Sequence, residues 1–436
     1  MGLLADTTTH TPDTPETQQS ETTVPDAAPT ATSTLPGAAA HTDSAAAFVP
    51  VQSRAERTAS FDVAAFPLPS GREEDWRFTP VKALAGLLAE GASGRLEVGT
   101  KLAEGVTTST ITSEQAQGLG ILPPQDRAAV VAGAAVDGAL LLDIPADAEL
   151  AEPVRLSLVG SDGEPVHGHV VVRAGRFSKA TVVLEHTGSA RYSQLVSVVT
   201  GDGSDLTVVS VQRWADDAQH LAQHDALVGR DARYRHLSVT LGGAIVRVNA
   251  NVRYAGPGGD ATLLGVYFAD AGQHLEHRSY IDHNAAHCKS RVTYKGALQG
   301  ETARTVWVGD VLIRAEAEGT DTYELNRNLV LTDGARADSV PNLEIETGEI
   351  EGAGHASATG RFDDLQLFYL QSRGITEDEA KRLVVRGFFA DIIREIPLAD
   401  LRDEITAAIE EELASTAYAA PTQQTPSTVP STSKEN

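Results

Sequence analysis

The sequence predicts a mainly β protein whose core is a β-solenoid, with helical regions towards both ends of the chain. Between residues 91 and 349 lies a long series of short runs rich in Val and Leu, separated by Gly, Asp, Ala and Asn. Runs of this kind are typical of strands. Turn-then-strand units recur 24–31 residues apart, with equivalent apolar positions at Val182, Val208, Val239, Leu263 and Val292. Such a repeat predicts one coil per unit, each stacked on the last.

A β-sandwich is the alternative fold, because it also has short strands at regular spacing. About 200 residues of strand without an intervening helix is long for one sandwich, so the length favours the solenoid. A solenoid has open ends, whose unpaired backbone groups must be covered or joined to a partner. We expect the helices after the core to lie beside it and to leave one edge free for a second chain.

The two ends of the chain are predicted to be disordered over 1–46 and 417–436. Both segments are rich in Thr, Pro and Ser, and they cannot bury enough apolar area to offset the entropy of ordering. Residues 47–90 are predicted to form an N-terminal helical region interrupted by prolines. Within it, REEDW (72–76) predicts a helix cap and a cluster of salt bridges around Trp76.

Residues 350–416 are predicted to form a C-terminal helical region. Thr376 with Glu379 gives a capping box, and Gly374 suits the end of the preceding helix. The pattern of apolar residues and caps predicts helices over 363–373, 377–395 and 398–414.

The second of these helices has more apolar residues than one buried face needs. Its main stripe is predicted to be Leu383, Val384, Phe388, Ile392 and Ile396. Phe389 and Ile393 extend the stripe, which favours core packing but leaves an exposed binding patch as the alternative. Gly387 in mid-helix costs about 1 kcal/mol relative to Ala, which indicates that another element packs closely there.

Composition excludes several classes of function. The net charge of −25, from 60 acidic and 35 basic residues, argues against nucleic acid as a partner. No apolar run is long enough to span a bilayer. One cysteine rules out an intramolecular disulfide and fits a reducing compartment, so we expect a cytoplasmic protein. Because no GxxxxGK[ST] loop is present, a partner would have to supply any ATP hydrolysis.

Two groups of residues carry potential metal ligands. His355 is the only bulky side chain in GAGHASATG (352–360), which is predicted to be a turn. Its imidazole is either a hydrogen-bonded loop residue or a ligand for iron. The richest cluster is His274, Glu276, His277, Asp282, His283, His287 and Cys288. These residues could hold iron or zinc, but their spacing fits no compact metal motif. Packed histidines and a buried Cys288 are therefore the favoured interpretation.

Several motifs resemble the SufB/SufD family of iron–sulfur cluster scaffolds. PNLEIETGEI (341–350), His355, LFYLQSRGIT (367–376) and RGFF (386–389) resemble its C-terminal signature. The motifs REEDWRFTP, YKGAL and TDTYELNRNLVL fall in family order, and the resemblance covers roughly residues 72–413. REEDW and the poverty in cysteine favour the SufD branch over the SufB branch.

The resemblance implies a right-handed parallel β-helix core and a non-catalytic scaffold that pairs with SufB. It also implies that His355 binds or orients iron or a cluster at the SufB–SufD interface, with Cys288 as a second candidate metal ligand. The chain alone would hold no cluster stably; iron or a cluster would bind transiently in the complex with SufB. Many relatives carry a cysteine at the position of Ala353, so thiolate ligands would come from the partner. The docking site for the SufC ATPase would comprise Leu365, Phe368, Tyr369, Arg373, Gly374, Phe388 and Phe389.

Two other functions compete with this hypothesis. A SufB-like homo-oligomeric scaffold would hold the cluster by itself, but one cysteine supplies too few thiolates unless subunits share them. Carboxylate pairs such as Glu344 with Glu346 raise a remote alternative, a β-helix polysaccharide lyase or hydrolase. Such enzymes are typically secreted and bind sugars with aromatic residues, whereas this chain lacks a signal-peptide pattern and has three Trp.

Overall fold

The computed structural model describes residues 57–91, 94–135, 138–362 and 364–415. The tails 1–46 and 417–436 lie outside the described residues, and their disorder stays a prediction. The strands are β1 Glu97–Lys101, β2 Thr107–Ile111, β3 Ala139–Ile144, β4 Val154–Ala174, β5 Lys179–Thr200, β6 Asp205–Trp214, β7 Gln219–Val228, β8 Arg233–Thr240, β9 Ile245–Tyr254, β10 Asp260–Ala269, β11 His274–His283, β12 Lys289–Leu298, β13 Arg304–Ile313, β14 Asp321–Val330, β15 Arg336–Ile345 and β16 Gly352–Arg361. The α-helices are α1 Ala85–Leu88, α2 Ser113–Gly118, α3 Arg127–Ala135, α4 Asp364–Ser372, α5 Glu377–Arg394 and α6 Ala399–Ser415.

The solenoid consists of two stacks of parallel strands that diverge from the long strand β5. The first half of β5 pairs with β6 and its second half pairs with β7. Even-numbered strands then follow one another to β16, and odd-numbered strands to β15, so each coil adds one strand to each stack. About 8 turns are formed in this way. The predicted parallel β-solenoid is therefore confirmed, and the sandwich is excluded.

The register of the strands corrects one position of the predicted repeat. Val182 lies opposite Val208, as the repeat predicts. The next coil places His236, not Val239, at the equivalent position, and Leu263 follows it. Val239 lies three residues further along, on the outer face of the sheet, where it packs in an apolar cluster with the C-terminal helices. The apolar repeat misses this coil because a buried histidine occupies the inward position.

The segment GAGHASATG was predicted to be a turn, and this prediction is wrong. Residues 352–361 form strand β16, which pairs in parallel with β14 along its full length. Small residues have weak strand propensity, but pairing with an available strand edge decides their conformation. The solenoid therefore extends beyond residue 349, and the C-terminal helices begin at Asp364 rather than within 350–362.

Before the parallel stack, the chain forms smaller elements. The helices α2 and α3 and the antiparallel pairs of β1 with β4 and β2 with β3 lie within the range predicted to be solenoid. In the described part of the N-terminal helical region, 57–90, the helices are short. They are three 3-10 turns, at Val63–Ala65, Glu74–Trp76 and Val81–Leu84, and the single turn α1.

The REEDW segment forms salt bridges, Glu74 with Arg77 and Asp75 with Arg278, but the predicted helix cap is wrong, because the Glu73 side chain makes no capping bond to the 3-10 turn that follows it. The Glu73 carboxylate accepts hydrogen bonds from the backbone N–H groups of Ser70 and Gly71, and these bonds lower its pKa to about 2. Trp76 is buried, with the Arg247 guanidinium 4.2 Å from its ring centroid. Residues of this segment contact side chains on the outer face of the stack of odd-numbered strands. The segment therefore fixes the N-terminal region to the solenoid.

Helices α5 and α6 lie across the outer face of the even-numbered stack, beside the solenoid as expected. The Thr376 hydroxyl caps α5 by accepting from the N–H of Glu379, and Gly374 ends α4 with φ +83°. The predicted cap of α4 at Asp363 lies outside the described residues. The stripe predicted for α5 is displaced: the buried residues are Ala380, Val385, Phe389, Ile392, Ile393 and Ile396.

Gly387 in α5 is exposed, and a Cβ added there would meet no atom within 4 Å. The close packing expected at this glycine is therefore absent among the described residues. We expect Gly387→Ala to raise the free energy of unfolding by about 1 kcal/mol, because Ala lowers the entropy lost on forming the helix. Urea unfolding followed by circular dichroism measures the change. Gly374→Ala is the control and should destabilise, since its φ of +83° disfavours any Cβ; a loss of stability in Gly387→Ala would contradict the exposed position.

Candidate functional site

The C-terminal end of the solenoid is open. Strands β15 and β16 stand at the two ends of the strand order, and neither pairs with a further strand in the described part of the chain. Their outward backbone groups can therefore accept a strand from another chain. This open end is formed by the PNLEI motif in β15 and by the Gly/Ala/Ser-rich strand β16.

His355 lies on β16 at this open end and is exposed. In the register of the parallel strands it lies directly opposite Glu324 of β14. Residues paired in this way present their side chains on the same face of a sheet. The imidazole is thus held on a strand, where its position is fixed better than in the turn that the sequence predicted, and it remains accessible to another chain or to an ion.

Glu324 was missed by sequence reasoning. Its side chain is buried, and only a long hydrogen bond of 3.4 Å from the Ser279 hydroxyl reaches its Oε1 atom. Burial, with the nearby Asp310, raises the pKa of this carboxyl well above its usual value. The carboxyl lies against Gly309, where a Cβ would come within 2.8 Å of Oε2. A buried carboxyl whose protonated form is favoured therefore lies inside the solenoid, one coil before His355.

A row of hydrogen bonds fixes the strands beneath the open end. The Tyr267 hydroxyl accepts from Asn326 at 2.9 Å and donates to Asn328 at 2.8 Å. Asn328 in turn donates to the Ser339 hydroxyl of β15 at 3.1 Å. The signal was present in TDTYELNRNLVL, where Glu324, Asn326 and Asn328 are spaced by two. That spacing places all three on one face of a strand, which here is the inner face.

The cluster from His274 to Cys288 does not converge on one point. His277 is hydrogen-bonded to the Thr240 hydroxyl at 2.9 Å and stacks on Tyr267, and burial lowers its pKa to about 3. His283 pairs with the Ser290 hydroxyl at 2.9 Å. The described residues contain no group of three or more His, Cys, Asp or Glu arranged to hold a metal ion. These histidines have the packed, hydrogen-bonded environment that the sequence favoured.

Cys288 is fully buried in the apolar core. Its thiol contacts the backbone oxygens of Gly256 and Ala286 at 3.6 Å, and burial raises the pKa of the thiol. A protonated thiol in this position fills space as a small apolar side chain does. That Cys288 binds a metal stays a prediction, and the structure does not bring it together with His355 in a group of metal ligands.

Helix α4 presents an apolar surface beside α5, which we call the docking surface. Leu365, Phe368 and Tyr369 are exposed by 77%, 70% and 54%. Leu365, Tyr369, Leu370 and Val384 line an open groove of about 370 Å³ between the two helices. Three large apolar side chains exposed on one short helix indicate a binding surface rather than a core.

The other residues predicted to dock a partner have different positions. Arg373 is exposed and lies over the Tyr369 ring at 4.7 Å, and Gly374 is exposed at the end of α4. Phe388 is half-buried. Phe389 is fully buried against the solenoid, so it belongs to the core of this chain and is not accessible to a partner.

Among the described residues, no helix is long and apolar enough to cross a membrane.

Comparison with known proteins agrees with the motifs. Residues 157–388 match the family described as SUF system FeS cluster assembly, SufBD core domain. An iron–sulfur cluster assembly SufBD family protein of Mycobacterium leprae is 53% identical over 365 residues, which cover 81% of this chain and 93% of that protein. A Mycobacterium tuberculosis protein of the same description is 53% identical over 370 residues, covering 83% and 93%. SufD of Bacillus subtilis is 26% identical over 304 residues, covering 67% and 68%. The resemblance found in the sequence is confirmed: the chain belongs to the SufBD family of iron–sulfur cluster assembly proteins.

Proposed function

We propose that this chain is a SufD-like, non-catalytic subunit of a scaffold on which iron–sulfur clusters are assembled. It would pair through its open end with a SufB-like scaffold and bind a SufC-like ATPase through the docking surface. Dimerisation of the ATPase on ATP binding would then strain the interface between the scaffolds and admit iron and sulfur. The observation that carries the proposal is the open end, where an accessible histidine lies beside two strand edges that pair with no further strand of the described residues.

His355 would bind iron, or orient one of its ligands, while the cargo is being assembled. An imidazole nitrogen is a suitable ligand for iron, but one ligand does not hold a cluster. Because the described residues include no set of three ligands, the remaining ligands would come from the partner. The chain alone would therefore bind iron or a cluster only weakly.

The alternative is a SufB-like scaffold that holds the cluster by itself. It needs thiolates, and the single cysteine of this chain is buried with a raised pKa. Anaerobic reconstitution with iron and sulfide separates the two functions. A cluster that forms only with the co-expressed SufB-like and SufC-like partners supports the proposal, whereas a stable cluster on the isolated chain favours the alternative.

The first prediction concerns His355. We expect His355→Ala to leave assembly of the complex intact and to reduce the yield of clusters by at least about tenfold, because a ligand or its orienting group is lost. Visible absorbance after reconstitution measures the yield, and size-exclusion chromatography measures assembly. His287→Asn is the control, since His287 is another exposed histidine and Asn tolerates its φ of +57°. A wild-type yield from His355→Ala would remove this residue from the proposed mechanism.

The second prediction concerns the docking surface. We expect Tyr369→Glu to weaken binding of the SufC-like ATPase by about 30-fold or more, because a carboxylate would be desolvated in an apolar interface. Isothermal titration with the purified ATPase measures the dissociation constant. Phe177→Asp is the control, because Phe177 is a similarly exposed aromatic residue, at 59%, in the turn before β5. Unchanged binding by a folded Tyr369→Glu would place the ATPase on another surface.

A further inference from the structure

Lys295 of β12 is the second residue of the YKGAL motif (294–298) and lies under helix α5. Its side chain is 9% exposed, and its ammonium group donates to both carboxylate oxygens of Asp391 at 2.7 Å. It also donates to the backbone oxygen of Phe388 at 2.8 Å and lies 5.1 Å from the centroid of the Phe388 ring. All of these contacts of the ammonium group are made with one turn of α5.

The rest of this contact between helix and sheet is apolar. Val211, Val239 and Val266 of the solenoid pack against Phe389 and Ile392 of α5 in one cluster. Burial costs this ammonium group its hydration, and its hydrogen bonds to α5 offset that cost, so the contact is stable only while both partners are in place. It restricts geometry, since a displaced helix would leave a buried charge without partners. Lys295 in turn stabilises the charged form of Asp391. Burial would raise the pKa of this carboxyl, but the hydrogen bond and charge of Lys295 lower it.

On the inner side of the sheet, the neighbours of Lys295 are joined to the open end. A Cβ on Gly296 would come within 1.9 Å of the Tyr267 ring, so this ring lies directly on the backbone of β12. The Tyr267 hydroxyl bonds to Asn326 and Asn328 of β14, and Asn328 bonds to Ser339 of β15. A displacement of β12 under α5 would therefore be passed through Tyr267 to the last strands of the solenoid.

We infer that Lys295 is a positioning residue, which fixes α5 on the solenoid and transmits force from the docking surface to the open end. This inference rests on the proposed function, because the force comes from the ATPase bound there. Transmission needs a rigid connection, and the three hydrogen bonds from one buried group to a single helical turn provide it. An apolar contact alone would allow α5 to slide.

Lys295→Met tests the positioning role, because Met has a similar length and suits the apolar surroundings. In the chain alone, we expect backbone amides of α5 to exchange hydrogen for deuterium about tenfold faster or more, since hydrogen bonds to a charged group are lost. Amides of β7 and β9, which belong to the other stack of strands, should be unchanged. Lys179→Met is the control, because Lys179 is 62% exposed in its ion pair with Glu149. Unchanged exchange in α5 would overturn the positioning role.

The transmission role is tested in the complex with the SufB-like and SufC-like partners. We expect Lys295→Met to retain binding of the ATPase, while the number of clusters formed per ATP hydrolysed falls severalfold. Asp391→Asn should act in the same way, and the double variant should add little to either single one. A wild-type ratio of clusters to ATP would overturn transmission. If the wild-type chain binds no ATPase, the proposed function and transmission fail together, whereas the exchange data still decide the positioning role.

Discussion

Phe389→Ala is expected to lower the free energy of unfolding by about 3–5 kcal/mol, the usual loss when a buried phenylalanine leaves a cavity. Its side chain is fully buried between α5 and the outer face of the even-numbered stack. The family resemblance implied that this residue binds a partner, whereas the apolar pattern favoured core packing, so the size of the loss distinguishes the two roles. Equilibrium unfolding in urea, monitored by far-UV circular dichroism, measures it.

Phe368→Ala is the matched control, because Phe368 is 70% exposed on the docking surface. We expect its effect on stability to stay within about 0.5 kcal/mol. Phe368→Ala should weaken binding of the ATPase more than Phe389→Ala does. Phe389→Ala should affect binding only through the loss of helix packing. Equal and small losses of stability in both variants would contradict the packing of α5 on the solenoid.

The C-terminal helices show what periodicity can predict and where it stops. Their bounds follow from local signals, such as the Thr376 cap and the αL glycine Gly374, and the structure places them within one or two residues. The buried face of α5 does not follow in the same way. Apolar residues at 383–385, 388–389 and 392–393 satisfy two overlapping stripes. Only the position of the sheet decides that Val385 and Phe389 are buried while Leu383 is exposed.

The solenoid could be predicted from the sequence only in those coils whose inward-facing residues are apolar. The coils of Val182 and Val208 meet this condition, but His236 and Glu324 occupy equivalent inward positions in later coils. A buried polar residue looks like a surface residue in an alternating pattern, so the repeat loses its signal at these coils. For the same reason the sequence does not reveal the buried Glu324 beside the candidate site.

Strand β16 could not be predicted from its own residues. Gly, Ala and Ser give almost no strand signal, and its conformation depends on the edge that β14 offers. A role for His355 could nevertheless be proposed from the sequence, because the motifs on either side of it resemble those of the family. Lys295 lies within a family motif, but the sequence gave no signal of its burial: a lysine between Tyr and Gly in a strand is usually solvated, and only the packing of α5 buries it.

The largest electrostatic effect is expected at Glu276 of β11, a fully buried carboxylate. Burial would raise its pKa, but the bond to His274 and the charges of Arg247 and Arg278 outweigh this and lower the pKa to about 2. The Thr79 hydroxyl also donates to it at 2.7 Å, which joins the segment after REEDW to the solenoid. We expect Glu276→Gln to destabilise the chain at pH 7 by about 3–5 kcal/mol, because two buried guanidinium groups lose their shared partner.

The stability that Glu276 contributes should depend on pH in a direction that its pKa sets. The Glu276 carboxyl has a lower pKa in the folded chain than its ordinary value of 4.5, so it contributes stability above pH 4.5 and loses it as the pH falls towards 2. The difference between wild type and Glu276→Gln should therefore shrink when urea unfolding is repeated between pH 7 and pH 3. Glu149→Gln is the control, since the ion pair of Glu149 with Lys179 is exposed and contributes about 1 kcal/mol at most. A difference that stays constant down to pH 3 would mean that the charge of Glu276 does not hold the N-terminal segment, and that the loss comes from packing alone.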